Sequence, residues 1–143
     1  MTVAAILSEK GRKVVTVDGE MPISRICATL AENRIGAAVI VDGNQNVQGI
    51  ISERDIVKIV ASTGGAALNQ PASSVMTREV ITCSEEETIG TLMEKMTEGK
   101  FRHLPVVHNG KLTGIISIGD VVKRRIAEAE MDAQAMREYI AAG

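Results

Sequence analysis

The second half of the chain repeats the first half. With an offset of 66 residues, positions 14–43 align with positions 80–109, and most apolar residues fall on apolar residues. After a one-residue deletion, VQGIISERDIVK (47–58) aligns with LTGIISIGDVVK (112–123), and seven of these twelve positions are identical. A tandem repeat of one supersecondary unit predicts that neither copy buries its apolar face alone.

Each copy has the pattern of a strand, a helix, two strands and a second helix. Short β-branched runs, VVTV (14–17) and VITC (80–83), predict the first strands, and apolar residues at helical spacing follow each of them. The runs AAVIVD (37–42) and LPVVHNG (104–110) predict buried strands that end in hairpin turns at Gly43-Asn44 and Asn109-Gly110. The final helix of each copy is predicted to begin at Ser52 or Ser117.

This pattern divides the chain into four parts. We expect repeat 1 at residues 3–61, a connection rich in small residues at 62–74, repeat 2 at 75–127 and a helical extension at 128–143. The segment VAAIL (3–7) is expected to form a helical turn. Residues 120–142 predict one long helix with a narrow apolar seam spaced 4, 3, 4, 3, 4, formed by Val122, Ile126, Ala129, Ala133, Met136 and Ile140.

The duplicated β-α-β-β-α unit resembles the CBS (cystathionine β-synthase) domain pair. The resemblance rests on G-I-I-S-x-x-D in both copies, on FRHLPVV (101–107) with its counterpart IGAAVIV (35–41), and on VMT (75–77). It implies an α/β (α+β) fold in which two repeats pack sheet to sheet around a pseudo-two-fold axis. It also implies clefts between the repeats for adenosine-containing ligands, and dimerisation into a flat disc.

The two Ser-x-x-Asp motifs are candidate ribose sites. In the simplest interpretation, Ser52 with Asp55 and Ser117 with Asp120 are capping boxes that satisfy free backbone N–H groups at helix starts. An aspartate at such a position can also bind the vicinal hydroxyls of a ribose. In related proteins this aspartate holds the ribose, so the resemblance implies ribose contacts for Asp55 and Asp120, and capping and ribose binding can coexist.

A basic turn before the strand of repeat 2 is the candidate phosphate site. Arg102 can bind a phosphate with two hydrogen bonds and His103 can donate a third, although such a turn can also be simply solvated. In related pairs these positions meet the phosphate of a nucleotide whose ribose is held by the other repeat. We therefore expect one composite site of Asp55, Arg102 and His103, with Arg54 as a further candidate phosphate ligand.

The second cleft is expected to be weaker. Gly36-Ala37 stands in repeat 1 where Arg102-His103 stands in repeat 2, so the cleft around Asp120 lacks a basic pair and is predicted to be nucleoside-only or vacant. In relatives the base lies in a slot lined by the start of the first strand. The corresponding residues here are Val15, Thr16, Ile81 and Thr82, with core packing as the competing role for Val15 and Ile81.

Composition argues against several other classes of protein. Sixteen basic and 18 acidic residues give a net charge of −2, so we expect no nucleic-acid partner and no membrane association. Two cysteines 56 positions apart do not form a disulfide framework, which favours a reducing, cytoplasmic compartment. We find no catalytic or metal-binding motif and expect no enzymatic activity, no catalytic cofactor and no metal.

These observations predict a regulatory module that binds an adenine nucleotide (AMP, ADP, ATP or NAD(H)) between its repeats. The ligand would change the angle between the repeats, and an effector protein would detect that change. Two alternatives remain: a structural dimerisation scaffold with vacant clefts, and a sensor of S-adenosylmethionine. A homodimer is expected in each case.

Overall fold

The computed structural model describes residues 1–143 and contains five helices and five strands. In chain order the helices and strands are α1 (Val3–Lys10), β1 (Thr16–Val17), α2 (Ile23–Asn33), β2 (Ala37–Val41), β3 (Val47–Ser52), α3 (Glu53–Thr63), α4 (Ile89–Gly99), β4 (His103–His108), β5 (Lys111–Ser117) and α5 (Ile118–Ala142). Two short 3-10 helices, Gly64–Asn69 and Ala72–Ser74, form the connection. The mixed α/β fold with a long C-terminal helix is confirmed.

Two small sheets carry the repeat symmetry. In the first sheet β1 runs parallel to β2, and β2 pairs antiparallel with β3. In the second sheet β4 pairs antiparallel with β5, and both antiparallel pairs contain an irregularity at the same place, after Ile40 and after Val106. The hairpin at Asn109-Gly110 has positive φ at both residues (51° and 78°), as a type I′ turn requires.

The predicted strand at 80–83 is wrong in extent. Only Cys83 pairs with the second sheet, by a parallel bridge to Val106, and its N–H donates to the carbonyl of Pro105 at 3.0 Å. Ile81 is half exposed and makes no strand pairing, so a β-branched run here forms an extended edge without a ladder. The helical turn expected at 3–7 is longer than predicted, because α1 continues to Lys10.

The two hydrophobic cores exchange their leading segments. Core 2 contains Val3, Ile6 and Leu7 of α1 together with the side chains of α4, β4, β5 and the start of α5. Core 1 contains the side chains of α2, β2 and β3 together with Ala72, and Val75 and Met76 pack against it. The leading segment of each repeat therefore completes the core of the other repeat, which ties the two halves together.

The glycine of each G-I-I-S motif makes this exchange possible. A Cβ at Gly49 would lie 2.5 Å from Sδ of Met76, and a Cβ at Gly114 would lie 2.8 Å from Cδ2 of Leu7. Both distances are shorter than real side-chain contacts. Glycine is therefore required at this position because the crossing segment packs directly on the strand backbone.

Candidate functional site

An open cavity of about 610 Å³ lies between the repeats. Repeat 1 contributes the start of α3, and repeat 2 contributes the irregular segment at 77–81 and the turn that precedes β4. The polar and charged lining residues are Ser52, Glu53, Arg54, Asp55, Lys58, Thr77, Glu79, Lys100, Arg102 and His103. Four cationic side chains thus face three carboxylates, which leaves a small positive excess suited to an anionic group.

Asp55 is held in place by the cap of its own helix. Its Oδ2 accepts hydrogen bonds from the backbone N–H of Ser52 at 2.9 Å and from the hydroxyl of Ser52 at 3.0 Å. Its Oδ1 accepts no hydrogen bond from the protein, and the side chain is half buried in the cavity lining. The capping box that the sequence predicted is present. One oxygen of the carboxylate is therefore oriented and available to a ligand.

Arg102 and His103 reach the same cavity from repeat 2. His103 lies against Gly36 of repeat 1, where a Cβ would stand 3.5 Å from Cε1 of the imidazole. The backbone of Gly36 also anchors α3, because its carbonyl accepts the N–H of Glu53 at 2.9 Å. The small residue that replaces the basic pair in repeat 1 thus makes room for the histidine of repeat 2.

The environment of His103 favours its neutral form. Burial is the main cause that lowers the pKa of the imidazole below its ordinary value, and the positive charges of Lys10 and Arg102 act in the same direction. The carboxylates of Asp120 and Glu53 oppose this shift only in part. A neutral imidazole can still donate one hydrogen bond, and a bound phosphate would favour its protonation.

The second cleft is occupied by a side chain of the protein. Nζ of Lys10 lies 2.7 Å from Oδ2 of Asp120 and donates to the carbonyl of Ile115 at 3.0 Å. The same Oδ2 accepts the N–H and the hydroxyl of Ser117, as in the predicted capping box. Burial acts to raise the pKa of Asp120, but the hydrogen bonds from Lys10 and Ser117 outweigh it and hold the pKa below its usual value.

The structure separates the sequence-predicted site residues into two groups. The cavity brings together Ser52, Arg54, Asp55, Ile81, Arg102 and His103, and it leaves out Val15, Thr16, Thr82, Ser117 and Asp120. The carbonyl of Thr82 accepts a hydrogen bond from Lys95 at 3.0 Å. Thr16 begins β1, and Val15 precedes it, with its carbonyl accepting the N–H of Val39 at 3.4 Å. Of the four base-slot candidates, only Ile81 faces the cavity.

Sequence reasoning missed several lining residues. Lys58 follows Arg54 by four residues and Asp55 by three, so all three lie on one face of α3. This spacing could have identified Lys58 as a lining residue once the helix was predicted. Glu79 and Val80 line the cavity because their segment bends at 78–79 and forms no regular strand, whereas the sequence predicted a strand beginning at Val80. No sequence signal points to Lys10, since its position depends on the length and docking of α1.

The remaining features to consider are metal ligands, the two cysteines and the length of the helices. No three His, Cys, Asp or Glu side chains lie close enough together to form a metal site. Cys27 is half buried and Cys83 is buried, and burial raises the pKa of the Cys83 thiol to about 12, which makes it a poor nucleophile. None of the helices combines the length and the hydropathy that crossing a lipid bilayer would require.

Comparison with known sequences identifies the family. The family description "CBS domain" matches this chain twice, at residues 4–62 and 72–127. The chain belongs to the CBS domain family. The two matches coincide with the two halves of the internal repeat, so the resemblance inferred from the motifs is confirmed.

Solved CBS structures share the fold. The CBS-domain containing protein ATU1752 from Agrobacterium tumefaciens is 50% identical, with a TM-score of 0.85 over 87% of this chain and 99% of that one. PAE2072 from Pyrobaculum aerophilum, solved with AMP, is 31% identical, with a TM-score of 0.75 over 84% and 89%. The CBS domain pair of MJ0100, solved with 5′-methylthioadenosine and S-adenosyl-L-methionine, is 26% identical, with a TM-score of 0.80 over 90% and 98%.

The curated CBS relatives are longer than this chain. The CBS domain-containing protein CBSCBSPB1 of Arabidopsis thaliana is 32% identical over 130 residues, which cover 91% of this chain but 24% of the relative. The similarity therefore extends to the CBS pair and not to the remaining three quarters of that protein.

Proposed function

We propose that this CBS pair is a regulatory, non-catalytic module that binds an adenine nucleotide in the cavity between its repeats. Asp55, with Ser52 orienting it, binds the ribose hydroxyls. Arg102, His103 and Arg54 bind the phosphate. Ile81 and the neighbouring Val80 contact the base. AMP, ADP, ATP and NAD(H) all carry these three parts.

The observation that carries this proposal is the composition of the cavity. One carboxylate with a free oxygen comes from repeat 1, and an arginine and a histidine come from repeat 2. A carboxylate recognises a diol, whereas a guanidinium and an imidazole recognise a phosphate, so the two halves of the site suit opposite ends of a nucleotide. AMP in the related PAE2072 supports the same ligand class.

Such a ligand would act as a link between the repeats. Because the ribose contacts belong to repeat 1 and two of the three phosphate contacts, Arg102 and His103, belong to repeat 2, binding stabilises the inter-repeat geometry in which both sets are satisfied. Only a difference in ligand affinity between two geometries can transmit a signal. An effector protein in the same compartment, which we place in the cytoplasm, detects that geometry in a homodimeric module.

S-adenosylmethionine is the second candidate, because the related MJ0100 pair was solved with it and with 5′-methylthioadenosine. Both compounds contain adenosine, which fits Asp55, but neither has a phosphate. Arg102 and His103 would then contribute little to binding. The two ligand classes therefore differ in their dependence on these residues.

The proposal is tested by calorimetry with AMP, ATP, NADH, S-adenosylmethionine and adenosine on the wild type, Asp55→Asn and Arg102→Gln. We expect Asp55→Asn to weaken AMP about tenfold to a hundredfold, since it removes a charge-assisted hydrogen bond from the ribose. Arg102→Gln should weaken AMP to a similar degree and leave adenosine unchanged.

Asp132→Asn is the control, since Asp132 is exposed on α5, forms no ion pair and does not line the cavity. It should leave AMP affinity within about twofold of the wild type. Absence of any heat and of any thermal shift at millimolar ligand would favour the scaffold alternative. Equal affinity for AMP and adenosine would remove Arg102 and His103 from the site.

A further inference from the structure

The cavity contains more cationic side chains than one phosphate requires. Repeat 1 contributes Arg54 and Lys58, and repeat 2 contributes Lys100 and Arg102. A phosphate monoester carries a charge of about −1.5 to −2 at pH 7, which the two arginines already match. Lys58 and Lys100 are therefore left without a role if the ligand has a single phosphate.

None of these four side chains has a partner within the protein. The ion pairs of the chain are made by five other basic residues, which are Lys10, Arg12, Lys95, Arg124 and Arg125. The side-chain hydrogen bonds of lysine and arginine are likewise made outside the cavity. Lys58 and Lys100 are both exposed, so their ammonium groups are available to a ligand.

The two cations within each repeat are close neighbours. Arg54 and Lys58 are four residues apart on one face of α3, and like charges at this spacing destabilise a helix. Lys100 and Arg102 lie on either side of Phe101, which packs against core 2 and so fixes the turn that carries them. The free protein thus keeps like charges together in one cavity, and an anion bound there would relieve their repulsion.

The carboxylates of the cavity do not neutralise the two lysines. Asp55 is held in the cap of α3. Glu53 lies beside His103, since a Cβ at Gly36 would be 3.3 Å from Oε1 of Glu53 and 3.5 Å from Cε1 of His103. Glu79 lies on the segment that leads to the base-contacting residues, and it is absent from the ion pairs of the chain. The two ammonium groups therefore lack a counter-ion.

We propose that the ligand of this cavity carries a chain of at least two phosphates, and that Lys58 and Lys100 bind the phosphate beyond the first. This inference rests on the function proposed above, in which Arg54, Arg102 and His103 bind the first phosphate. A lysine ammonium is a point charge on a flexible stem, so one lysine from each repeat can follow a phosphate chain of variable length. ADP, ATP and NAD(H) have such a chain, whereas AMP and S-adenosylmethionine do not.

The test is calorimetry of the full chain with AMP, ADP, ATP and NADH in a buffer without magnesium. The wild type should bind ADP at least tenfold more tightly than AMP, because each of two added ion pairs contributes up to about fivefold. Lys58→Met and Lys100→Met keep the aliphatic stem and remove the charge. Each should weaken ADP about fivefold and change AMP affinity by less than about twofold.

Lys123→Met is the matched control. Lys123 ends VVK (121–123) in repeat 2 as Lys58 ends IVK (56–58) in repeat 1. It is exposed, forms no ion pair and does not line the cavity, so its substitution should leave ADP affinity within about twofold of the wild type. All three lysines are exposed, and equal melting temperatures would confirm that the variants fold as the wild type does.

The outcomes separate this inference from the proposed function. Equal affinities for AMP and ADP, or ADP binding that neither Lys58→Met nor Lys100→Met weakens, would overturn the inference and leave nucleotide binding at Asp55 intact. Failure of every nucleotide to bind would overturn both. If both lysine variants weaken ADP more than NADH, the site selects a free nucleoside polyphosphate. If they weaken NADH more, it selects a dinucleotide, and either result supports the role of the two lysines.

Discussion

His103 lies between the two repeats, and its protonation depends on both of them. Glu53 and Gly36 approach it from repeat 1, while Lys10 and Asp120 approach it from the side of the second cleft. The sequence predicted its role from the basic pair alone. Its burial could not be predicted, because it follows from the absence of a side chain at Gly36 in the other repeat.

The stability of the protein should depend on the protonation of His103. Its pKa is lowered in the folded state, mainly by burial, so the unfolded chain binds more protons just below pH 6.5. The free energy of unfolding should therefore fall as the pH falls through 6.5, and this loss should level off below the folded-state pKa. Urea titrations of the wild type and His103→Gln between pH 7.5 and 5 measure the free energy of unfolding at each pH. If this free energy changes with pH equally in both proteins, His103 is not the group responsible.

Lys10 distinguishes the two clefts of this chain. Its ammonium group donates hydrogen bonds to Oδ2 of Asp120 and to the carbonyl of Ile115. A ligand that binds Asp120 would have to displace Lys10. The sequence predicts a weaker second cleft from the missing basic pair. The structure adds a second and independent reason, which is an internal competitor for the ribose position.

Removing this competitor should open the second cleft. We expect Lys10→Met to raise the calorimetric stoichiometry for adenosine from one to two per chain, because Asp120 becomes free to bind a ribose. Lys13→Met is the control, since Lys13 is exposed and forms no ion pair. A stoichiometry that stays at one in Lys10→Met would show that the side chain of Lys10 does not limit binding there.

At the scale of elements, regular helices were easier to predict than short strands. Helices α2 and α4 follow the apolar spacing, and both end at a residue with positive φ, Arg34 and Lys100. The run at 80–83 has the right composition for a strand but pairs through Cys83 alone. Strand formation requires a neighbouring ladder, and the sequence of one segment does not contain that information.

The glycines of the two G-I-I-S motifs give a testable consequence of strand geometry. Gly49→Ala should destabilise the protein by about 2 kcal/mol, because the new methyl group meets Met76 and also the backbone carbonyl of Thr77 at 2.9 Å. Gly43→Ala is the control, since a Cβ there meets nothing within 4 Å. Chemical denaturation measures both variants, and equal stabilities would disprove the close approach of the crossing segment.

At the scale of the whole molecule, the exchanged segments make the two repeats one cooperative unit. Leu7 lies in the leading segment of repeat 1 but is buried in the core of repeat 2 with Leu92, Leu104 and Ile116. A substitution in α1 should therefore destabilise the second half of the chain. The order of residues along the chain does not reveal this connection.

Leu7→Ala should lower the free energy of unfolding by about 3 kcal/mol, because it removes a fully buried side chain and leaves a cavity. Hydrogen exchange should then accelerate at the amides of β4 and β5 in repeat 2. Met131→Ala, at an exposed position, should change stability by less than about 0.5 kcal/mol. Acceleration confined to α1 would contradict the exchanged cores.

The sequence alone determined the duplication, the family, the two capped helices with their Ser-x-x-Asp motifs, and the inequality of the repeats. These properties depend on residue identity and on spacing within a short stretch of chain. Only the tertiary structure decided that Lys10 reaches Asp120, that Gly36 admits His103, and that α1 completes the distant core. Those contacts join residues between 67 and 110 positions apart, and their formation depends on how the two sheets dock.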